Sequence, residues 1–214
     1  ELDGNKIKLT TPNAGYIDRD EVMKETIKLT VRLFLITAIA GFVLAFANSF
    51  TSPVIKAREK AQYEAALKEV FADADKFETV EEEKLNTIKT KIKNIEKIEV
   101  AKKSDKTVGY VFKTLGKNGY GGDISMLMAV NIENKTIVGF KVLKHSETPG
   151  LGSRVTTDEY AKSVVGNKVT EHLVKNLHPD ADNDIQAITG TTISVNAVLN
   201  GLNAAIDALQ ELEK

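Results

Sequence analysis

The 214-residue sequence contains no cysteine and no tryptophan. The absence of cysteine excludes disulfide bonds, thiolate-ligated iron–sulfur clusters, c-type haem attachment and cysteine nucleophiles. The three histidines, His145, His172 and His178, lack the spacing of a zinc site, and we predict neither a metal site nor catalytic side chains. A redox function of this chain would therefore require an organic cofactor.

The sequence also lacks an excess of either charge. It carries 29 basic and 30 acidic side chains, for a formal net charge of −1. Nucleic-acid-binding domains normally carry a basic excess, so we predict no nucleic-acid partner. The charge balance excludes nothing about small ligands.

One long apolar run, "LFLITAIAGFVLAFANSFTSPVI", lies between Arg32 and Lys56. At about 1.5 Å per residue, its length of about 34 Å exceeds a bilayer core of about 30 Å. The run is apolar on all sides, which favours a membrane span over a buried core helix. The polar residues before it and its length disfavour a cleaved signal peptide. We predict a tail over 1–27 and a transmembrane helix over 28–55. Basic residues flank both ends almost equally, so charge leaves the orientation open.

The tail over residues 1–19 has a mixed charge, which motivates the hypothesis that it docks to a cytosolic partner. After the span, helix-forming residues predict a helix from Pro53 to about Ala74. The charged stretch 76–94 has no clear period. Acidic residues interleave with its lysines, which favours a solvated surface over a basic binding patch. We predict a membrane-proximal helical segment over 56–96 and a folded domain over 97–214.

Four β-rich runs separated by Gly, Asn or Asp follow: "KIEVAKK", "VGYVFKTLG", "ISMLMAVNIE" and "KTIVGFKVLKH". The third and fourth are predicted to form a hairpin around Asn134, so the sheet should be antiparallel. A short helix is predicted over 157–166, and a longer one whose apolar face runs from Val195 to Leu212. This order of elements predicts an α+β fold with flanking helices.

Small and hydroxylated residues gather in "AITGTTIS", just before the last predicted helix. They are Thr189, Gly190, Thr191, Thr192 and Ser194. Helix capping explains them, because Ser and Thr are favoured N-caps. A bound phosphate explains them too, because helix N-termini present free N–H groups and a partial positive charge. The stretch alone leaves both alternatives open.

Two further glycine-containing loops fit the same ligand. "SETPGLGSR" (146–154) is either a plain turn or a loop whose backbone N–H groups face a ligand. "GKNGYGGDI" (116–124) is either a hairpin turn or a loop in which Gly121 and Gly122 allow close approach of a planar ring and Tyr120 packs on it. Neither loop has the strand–GxGxxG–helix context of a dinucleotide fold or the lysine of a P-loop.

"HSETPGLGSR", followed further along by "QAITGTTIS", resembles the FMN-binding domain of the G subunit of Rnf electron-transport complexes. A related domain occurs in the C subunit of sodium-pumping NADH:quinone reductases. The resemblance covers Lys28 to Lys214, and it implies an FMN-binding domain after a single transmembrane helix.

The resemblance implies that FMN is joined by a phosphoester to the last threonine of a Ser/Thr-Gly-Ala-Thr motif, here Thr192. Thr189 and Gly190 match the first two motif positions. Thr191 stands where alanine is usual, and Gln186 where the family often has Asp. The residues that match the other family loop are Glu147, Thr148, Gly150, Leu151 and Gly152.

The resemblance further implies a membrane-anchored electron-transfer subunit that is inactive alone. Its partners would be the other membrane and iron–sulfur subunits of a complex that oxidises ferredoxin, reduces NAD and moves Na⁺ or H⁺. A separate magnesium-dependent flavin transferase would install FMN from FAD. The N-terminus would be cytoplasmic and the FMN domain would lie on the outer face of the bacterial cell membrane. The alternatives are the quinone-reductase C subunit and a non-redox, membrane-anchored sensor or binding domain.

Overall fold

A computed structural model describes the backbone of residues 2–3, 6–8 and 16–214, and the side chains from residue 20 onward. The chain divides into two compact units, Glu1–Glu59 and Lys60–Lys214. Residues 1, 4–5 and 9–15 of the predicted tail lie outside the described residues, and the hypothesis that the tail docks to a partner stays a prediction.

The first unit contains a small sheet and most of a long helix. Its strands pair antiparallel in the order β1 (Leu2–Asp3), β2 (Lys6–Lys8) and β3 (Tyr16–Asp18). Helix α1 (Arg19–Val70) follows, and its most apolar 18-residue window has a mean hydropathy of 2.2 and is 0% buried. Its length and composition suffice to cross a membrane, so the predicted long apolar helix is confirmed. The helix continues through Pro53, where the sequence suggested the start of a separate helix.

The second unit is built on a five-stranded sheet in the order β4-β5-β6-β7-β8, in which every neighbouring pair is antiparallel. This confirms the predicted antiparallel α+β fold. Ser104 and Asp105 both have positive φ, 48° and 62°, as a tight two-residue hairpin requires. The strands are β4 (Lys76–Thr79), β5 (Ile95–Lys103), β6 (Lys106–Gly116), β7 (Ile124–Asn131) and β8 (Thr136–Lys144).

Shorter elements and the last helix complete this unit. They are α2 (Glu82–Lys91), a 3₁₀ helix (Gly152–Thr156), α3 (Asp158–Val164), β9 (Val174–Asn176), β10 (Asp184–Gln186) and α4 (Thr192–Leu212). Strands β9 and β10 pair in parallel. The two helices predicted after the sheet are confirmed as α3 and α4. The charged stretch 76–94, whose sequence has no clear period, forms β4 and α2, and Leu85 and Ile88 of α2 are buried while most of its charged residues are exposed.

One face of the sheet is covered by α4 together with α2 and α3. Phe112 and Met126 from the strands and Leu202 and Ile206 from α4 are completely buried in this core. Since α4 carries its apolar residues along one side, burial of that side fixes the helix on the sheet. Its N-terminus is thereby positioned beside the loops that follow β6 and β8.

The opposite face of the sheet is covered by the C-terminal end of α1. Leu67 and Val70 of the helix, with Phe71 after it, pack in a second apolar cluster. Two strand glycines permit this close contact. A Cβ at Gly139 would lie 1.9 Å from the Val70 carbonyl oxygen, and one at Gly109 would lie 2.4 Å from the Phe71 ring. Both faces of the sheet are therefore packed within the second unit.

Candidate functional site

The three loops singled out in the sequence meet at one groove of about 490 Å³. This volume falls in the range of small-molecule and cofactor sites, about 300–1,000 Å³. Its walls are the β6–β7 loop, the loop after β8 and the start of α4. The lining residues are Tyr120, Glu147, Thr148, Leu151, Gly152, Gly190, Thr191, Thr192, Ile193 and Ser194.

The N-terminus of α4 opens into this groove. Thr192 is the first helical residue and Thr191 is the N-cap, but within the described residues no side chain caps the helix. The first N–H groups of a helix have no intrahelical acceptor, and the helix dipole adds a partial positive charge there. The helix-capping interpretation of this stretch required a capping hydrogen bond from the N-cap side chain, and Thr191 does not make one. The structure leaves N–H groups at a place suited to a phosphate.

The four hydroxyl groups of this stretch lie in different surroundings. Thr191 is buried, and its Oγ1 donates to the Ile188 carbonyl at 3.0 Å. Ser194 is buried, and its hydroxyl donates to the Glu147 carboxylate. Thr189 is exposed but does not line the groove, whereas Thr192 is exposed and lines it. Of these four, Thr192 alone combines an exposed side chain with a position on the groove wall.

Glu147 connects the three walls of the groove. Its Oε1 accepts a hydrogen bond from the Gly121 backbone N–H at 2.9 Å, and its Oε2 accepts one from the Ser194 hydroxyl. The side chain is only 4% exposed. Buried polar groups of this kind hold neighbouring segments in one arrangement when all their hydrogen bonds are made. The carboxylate therefore fixes the β6–β7 loop relative to α4.

The glycines of the groove serve close packing and turn geometry. A Cβ at Gly152 would lie 2.3 Å from Glu147 Oε2, and one at Gly121 would lie 1.9 Å from the Ser146 carbonyl oxygen. Gly190 has φ +82° and Gly150 has φ +75°, in the left-handed region that side chains disfavour. Gly121 is therefore constrained by the neighbouring loop, a contact that sequence spacing did not reveal.

Apolar side chains are exposed around the same opening. Tyr120 is 73% exposed, Leu151 54% and Ile193 50%. Exposed apolar residues around a concave site mark a place where a ligand or partner binds. Ile193 was not predicted as a site residue, since its apolar side chain gives no chemical signal in the motif.

The remaining predicted site residues lie in the same loops without lining the groove. They are Gly121, Gly122, Gly150 and Thr189. At the position where the family often has Asp, the Gln186 amide donates to the carbonyl oxygens of Leu177 and Ala187, both at 2.9 Å. Gln186 thus fixes the chain after β10 rather than facing the groove.

The donor set and shape of the groove fit FMN. Backbone N–H groups at the start of α4 suit its phosphate, and the exposed Tyr120, Leu151 and Ile193 side chains suit a planar ring. FMN would supply the redox chemistry, while the chain binds and orients it. Glu147 is the sole ionisable carboxyl group that lines the described groove, and its hydrogen bond goes to Ser194 rather than to Thr192.

Comparison with known proteins gives the same class. The family model of the FMN-binding domain matches residues 119–207, which include all three walls of the groove. Residues 119–207 are therefore similar to FMN-binding domains, and the same chain carries a helix long and apolar enough to span a membrane.

Similar proteins identify which family with this domain the chain belongs to. The chain is 32% identical to the G subunit of the Na⁺-translocating ferredoxin:NAD⁺ oxidoreductase complex of Acetobacterium woodii, over 89% of this chain and 95% of that protein. It is 33% identical to the G subunit of the ion-translocating oxidoreductase complex of Methanosarcina acetivorans, over 89% and 97% of the two chains. Shewanella oneidensis NqrC matches 55% of this chain and 61% of its own, with 22% identity and a TM-score of 0.47. The chain belongs to the G-subunit family of Rnf-type ion-translocating oxidoreductase complexes.

Proposed function

We propose that this chain is a single-span electron-transfer subunit that carries FMN covalently on Thr192. Its complex would oxidise ferredoxin, reduce NAD and translocate Na⁺ or H⁺, as the names of its relatives indicate for those proteins. Other membrane and iron–sulfur subunits are the proposed partners, because this chain contains no cysteine to ligate a cluster. Alone, it should transfer no electrons between ferredoxin and NAD.

The position of the Thr192 hydroxyl is the observation that carries the covalent part of the proposal. It is the exposed hydroxyl on the groove wall, at an uncapped helix N-terminus. Thr191 offers a competing hydroxyl one residue away, but that hydroxyl is buried and donates to Ile188. These contacts favour Thr192 as the anchor although alanine is absent from the middle of the motif.

A separate enzyme is proposed to make the bond, because a threonine hydroxyl is a poor nucleophile without an activating base. In that transfer the Thr192 oxygen forms a bond to the flavin-side phosphorus of FAD. The pyrophosphate P–O bond breaks, AMP leaves and the hydroxyl proton is lost. The Glu147 carboxylate already accepts from Ser194 and Gly121, which argues against its acting as that base. The magnesium-dependent flavin transferase would supply both metal and base.

The proposed orientation places the N-terminus in the cytoplasm and the second unit on the outer face of the bacterial cell membrane. This orientation rests on the family resemblance, because the two ends of the apolar run carry almost equal numbers of basic residues and charge therefore does not decide it. Labelling of Tyr120, which is 73% exposed, after its replacement by cysteine would test it in intact cells. An impermeant maleimide should label this otherwise cysteine-free chain only if the groove lies outside.

The first test is flavin fluorescence of the denatured band on a gel, after co-expression with a flavin transferase. Wild type and Thr192→Ser should fluoresce, because both keep a hydroxyl at the anchor. Thr192→Ala should be dark, and Thr189→Val, which removes an exposed hydroxyl outside the groove, should remain fluorescent. Fluorescence of Thr192→Ala would reject Thr192 as the site of covalent FMN attachment. A dark and colourless wild type would favour the membrane-anchored sensor over any redox subunit.

The quinone-reductase C subunit is separated from the Rnf-type protein by co-purification. An Rnf-type chain should be recovered with iron–sulfur partners that oxidise ferredoxin. Recovery with a quinone-reducing assembly would favour the quinone-reductase alternative.

A further inference from the structure

The Glu147 side chain is a buried acid without an opposite charge. It is 4% exposed, and its two oxygens accept from the Gly121 N–H and the Ser194 hydroxyl, both neutral donors. Within the described residues no lysine, arginine or histidine forms an ion pair with it. The nearby His145 ring accepts the Glu147 backbone N–H at its Nδ1, at 3.2 Å, and so contacts the backbone of Glu147 rather than its carboxylate.

Burying the charged Glu147 carboxylate costs free energy, and holding the β6–β7 loop against α4 does not require a charge. Burial of a charge without a partner is unfavourable, and buried charges are normally paired. A glutamine amide of the same shape could accept from Gly121 and donate to Ser194 while carrying no charge. The N-terminal end of α4 offsets part of the cost through its dipole. The remaining negative charge borders the groove, since Glu147 is one of its lining residues.

We propose that Glu147 sets the reduction potential of the flavin in this groove, and that its buried negative charge keeps that potential low. The inference rests on the proposed function, because it requires FMN in the groove. Uptake of two electrons and one proton leaves the ring with one more negative charge. A carboxylate in the low-dielectric wall disfavours that added charge, and charge near the ring is a recognised means of tuning flavins.

The test compares wild type with Glu147→Gln in the full-length, detergent-solubilised chain co-expressed with a flavin transferase. Flavin content is measured first from the absorbance of the denatured protein. The potential is then measured by anaerobic titration with dithionite in the presence of mediators. Glu147→Gln should retain the flavin and shift the oxidised-to-reduced ratio about tenfold toward reduced. This corresponds to a rise of about 30 mV for a two-electron couple.

Ser194→Ala is the matched variant, because it removes the hydrogen bond from Ser194 to the Glu147 carboxylate while keeping the charge of Glu147. Its potential should stay unchanged or fall, since the carboxylate loses a donor that partly neutralises it. A higher reduction potential in both variants would mean that the lost hydrogen bond, rather than the lost charge, changes the potential. This outcome would overturn the inference. If Glu147→Gln fails to fold, a rise in Ser194→Ala overturns the inference and an unchanged or lower value supports it.

The remaining outcomes separate this inference from the proposed function. A flavin-loaded wild type whose potential equals that of Glu147→Gln overturns the inference and leaves the proposed function standing. A folded Glu147→Gln chain that binds no flavin also overturns it, because the amide should preserve the groove. A wild type without any flavin overturns both.

Discussion

The Thr191 hydroxyl donates a hydrogen bond to the Ile188 carbonyl at 3.0 Å, which commits it to the turn before α4. The next residue, Thr192, is exposed on the groove wall. Two adjacent threonines therefore have separate roles: the buried one shapes the chain and the exposed one presents a hydroxyl. The distinction depends on the turn at Gly190, whose φ of +82° favours glycine.

Thr191→Val should leave covalent flavin unchanged. It removes the hydrogen bond to Ile188 and should lower the free energy of unfolding by about 1 kcal/mol. Denaturing-gel fluorescence measures the first effect, and thermal unfolding of the solubilised chain measures the second. Loss of fluorescence in this variant, with the fold intact, would assign the anchor to Thr191 instead.

Gly139→Ala should destabilise the second unit, because its Cβ would lie 1.9 Å from the Val70 carbonyl oxygen. Overpacking of this kind costs about 1–3 kcal/mol, and the contact involves backbone that cannot rotate away. The melting temperature should fall by several degrees, at about 2–4 °C per kcal/mol. Gly41→Ala is the control, since a Cβ there meets nothing within 4 Å. Equal melting temperatures for the two variants would contradict the packing of α1 on the sheet.

Tyr63→Phe should weaken the same contact between α1 and the sheet. The Tyr63 hydroxyl donates to Oε1 of the buried Glu99 at 3.1 Å, and the Lys97 ammonium lies 2.5 Å from that oxygen. Loss of a hydrogen bond to a buried charged group costs about 1.5–3 kcal/mol. Tyr110→Phe should cost less, because within the described residues the Tyr110 hydroxyl makes no hydrogen bond. A larger effect at Tyr110 would contradict this account.

Stability should fall in acid partly because of Glu211. Hydrogen bonds from Lys214 and then Lys91 lower the pKa of Glu211 from 4.5 to about 2. A carboxyl group whose pKa is lower in the folded state stabilises the protein above its unfolded pKa. This contribution disappears as the pH falls from about 4.5 toward 2.

The measurement is the melting temperature at pH 6 and pH 3 for wild type and Glu211→Gln. The melting temperature of wild type should fall more between pH 6 and pH 3 than that of the variant. Added salt should reduce this difference, because it screens the ion pairs. An identical loss in both proteins would show that the Glu211 ion pairs add nothing to stability.

Most of the sheet and the last helix could be predicted from sequence because their signals are local. β5 to β8 alternate or run apolar between turn residues, and α4 repeats its apolar residues at helical spacing. The bounds of α2 within the helical segment 56–96 were not predicted, because only Leu85 and Ile88 are buried in a strongly charged stretch. The parallel pair β9 and β10 was missed because strands of three residues carry almost no pattern.

The residues of the candidate site could be predicted from motifs, but their arrangement could not. Glu147 and Ser194 are 47 residues apart, and their hydrogen bond arises from the way α4 packs on the sheet. Gly152 resembles an ordinary turn residue in the sequence, whereas in the structure a Cβ at this position would lie 2.3 Å from Glu147 Oε2 and 2.6 Å from the Ser194 hydroxyl. The choice between Thr191 and Thr192 likewise depends on burial, which no short motif encodes.

Peptide mapping tests the central claim most directly. Trypsin should release residues 176–214 as one peptide, since this stretch contains no lysine or arginine before Lys214. Fragmentation of that peptide by mass spectrometry, after co-expression with a flavin transferase, separates Thr189, Thr191, Thr192 and Ser194. The account predicts an added FMN phosphoester on Thr192 alone. An unmodified peptide, or FMN on another of these residues, would contradict it.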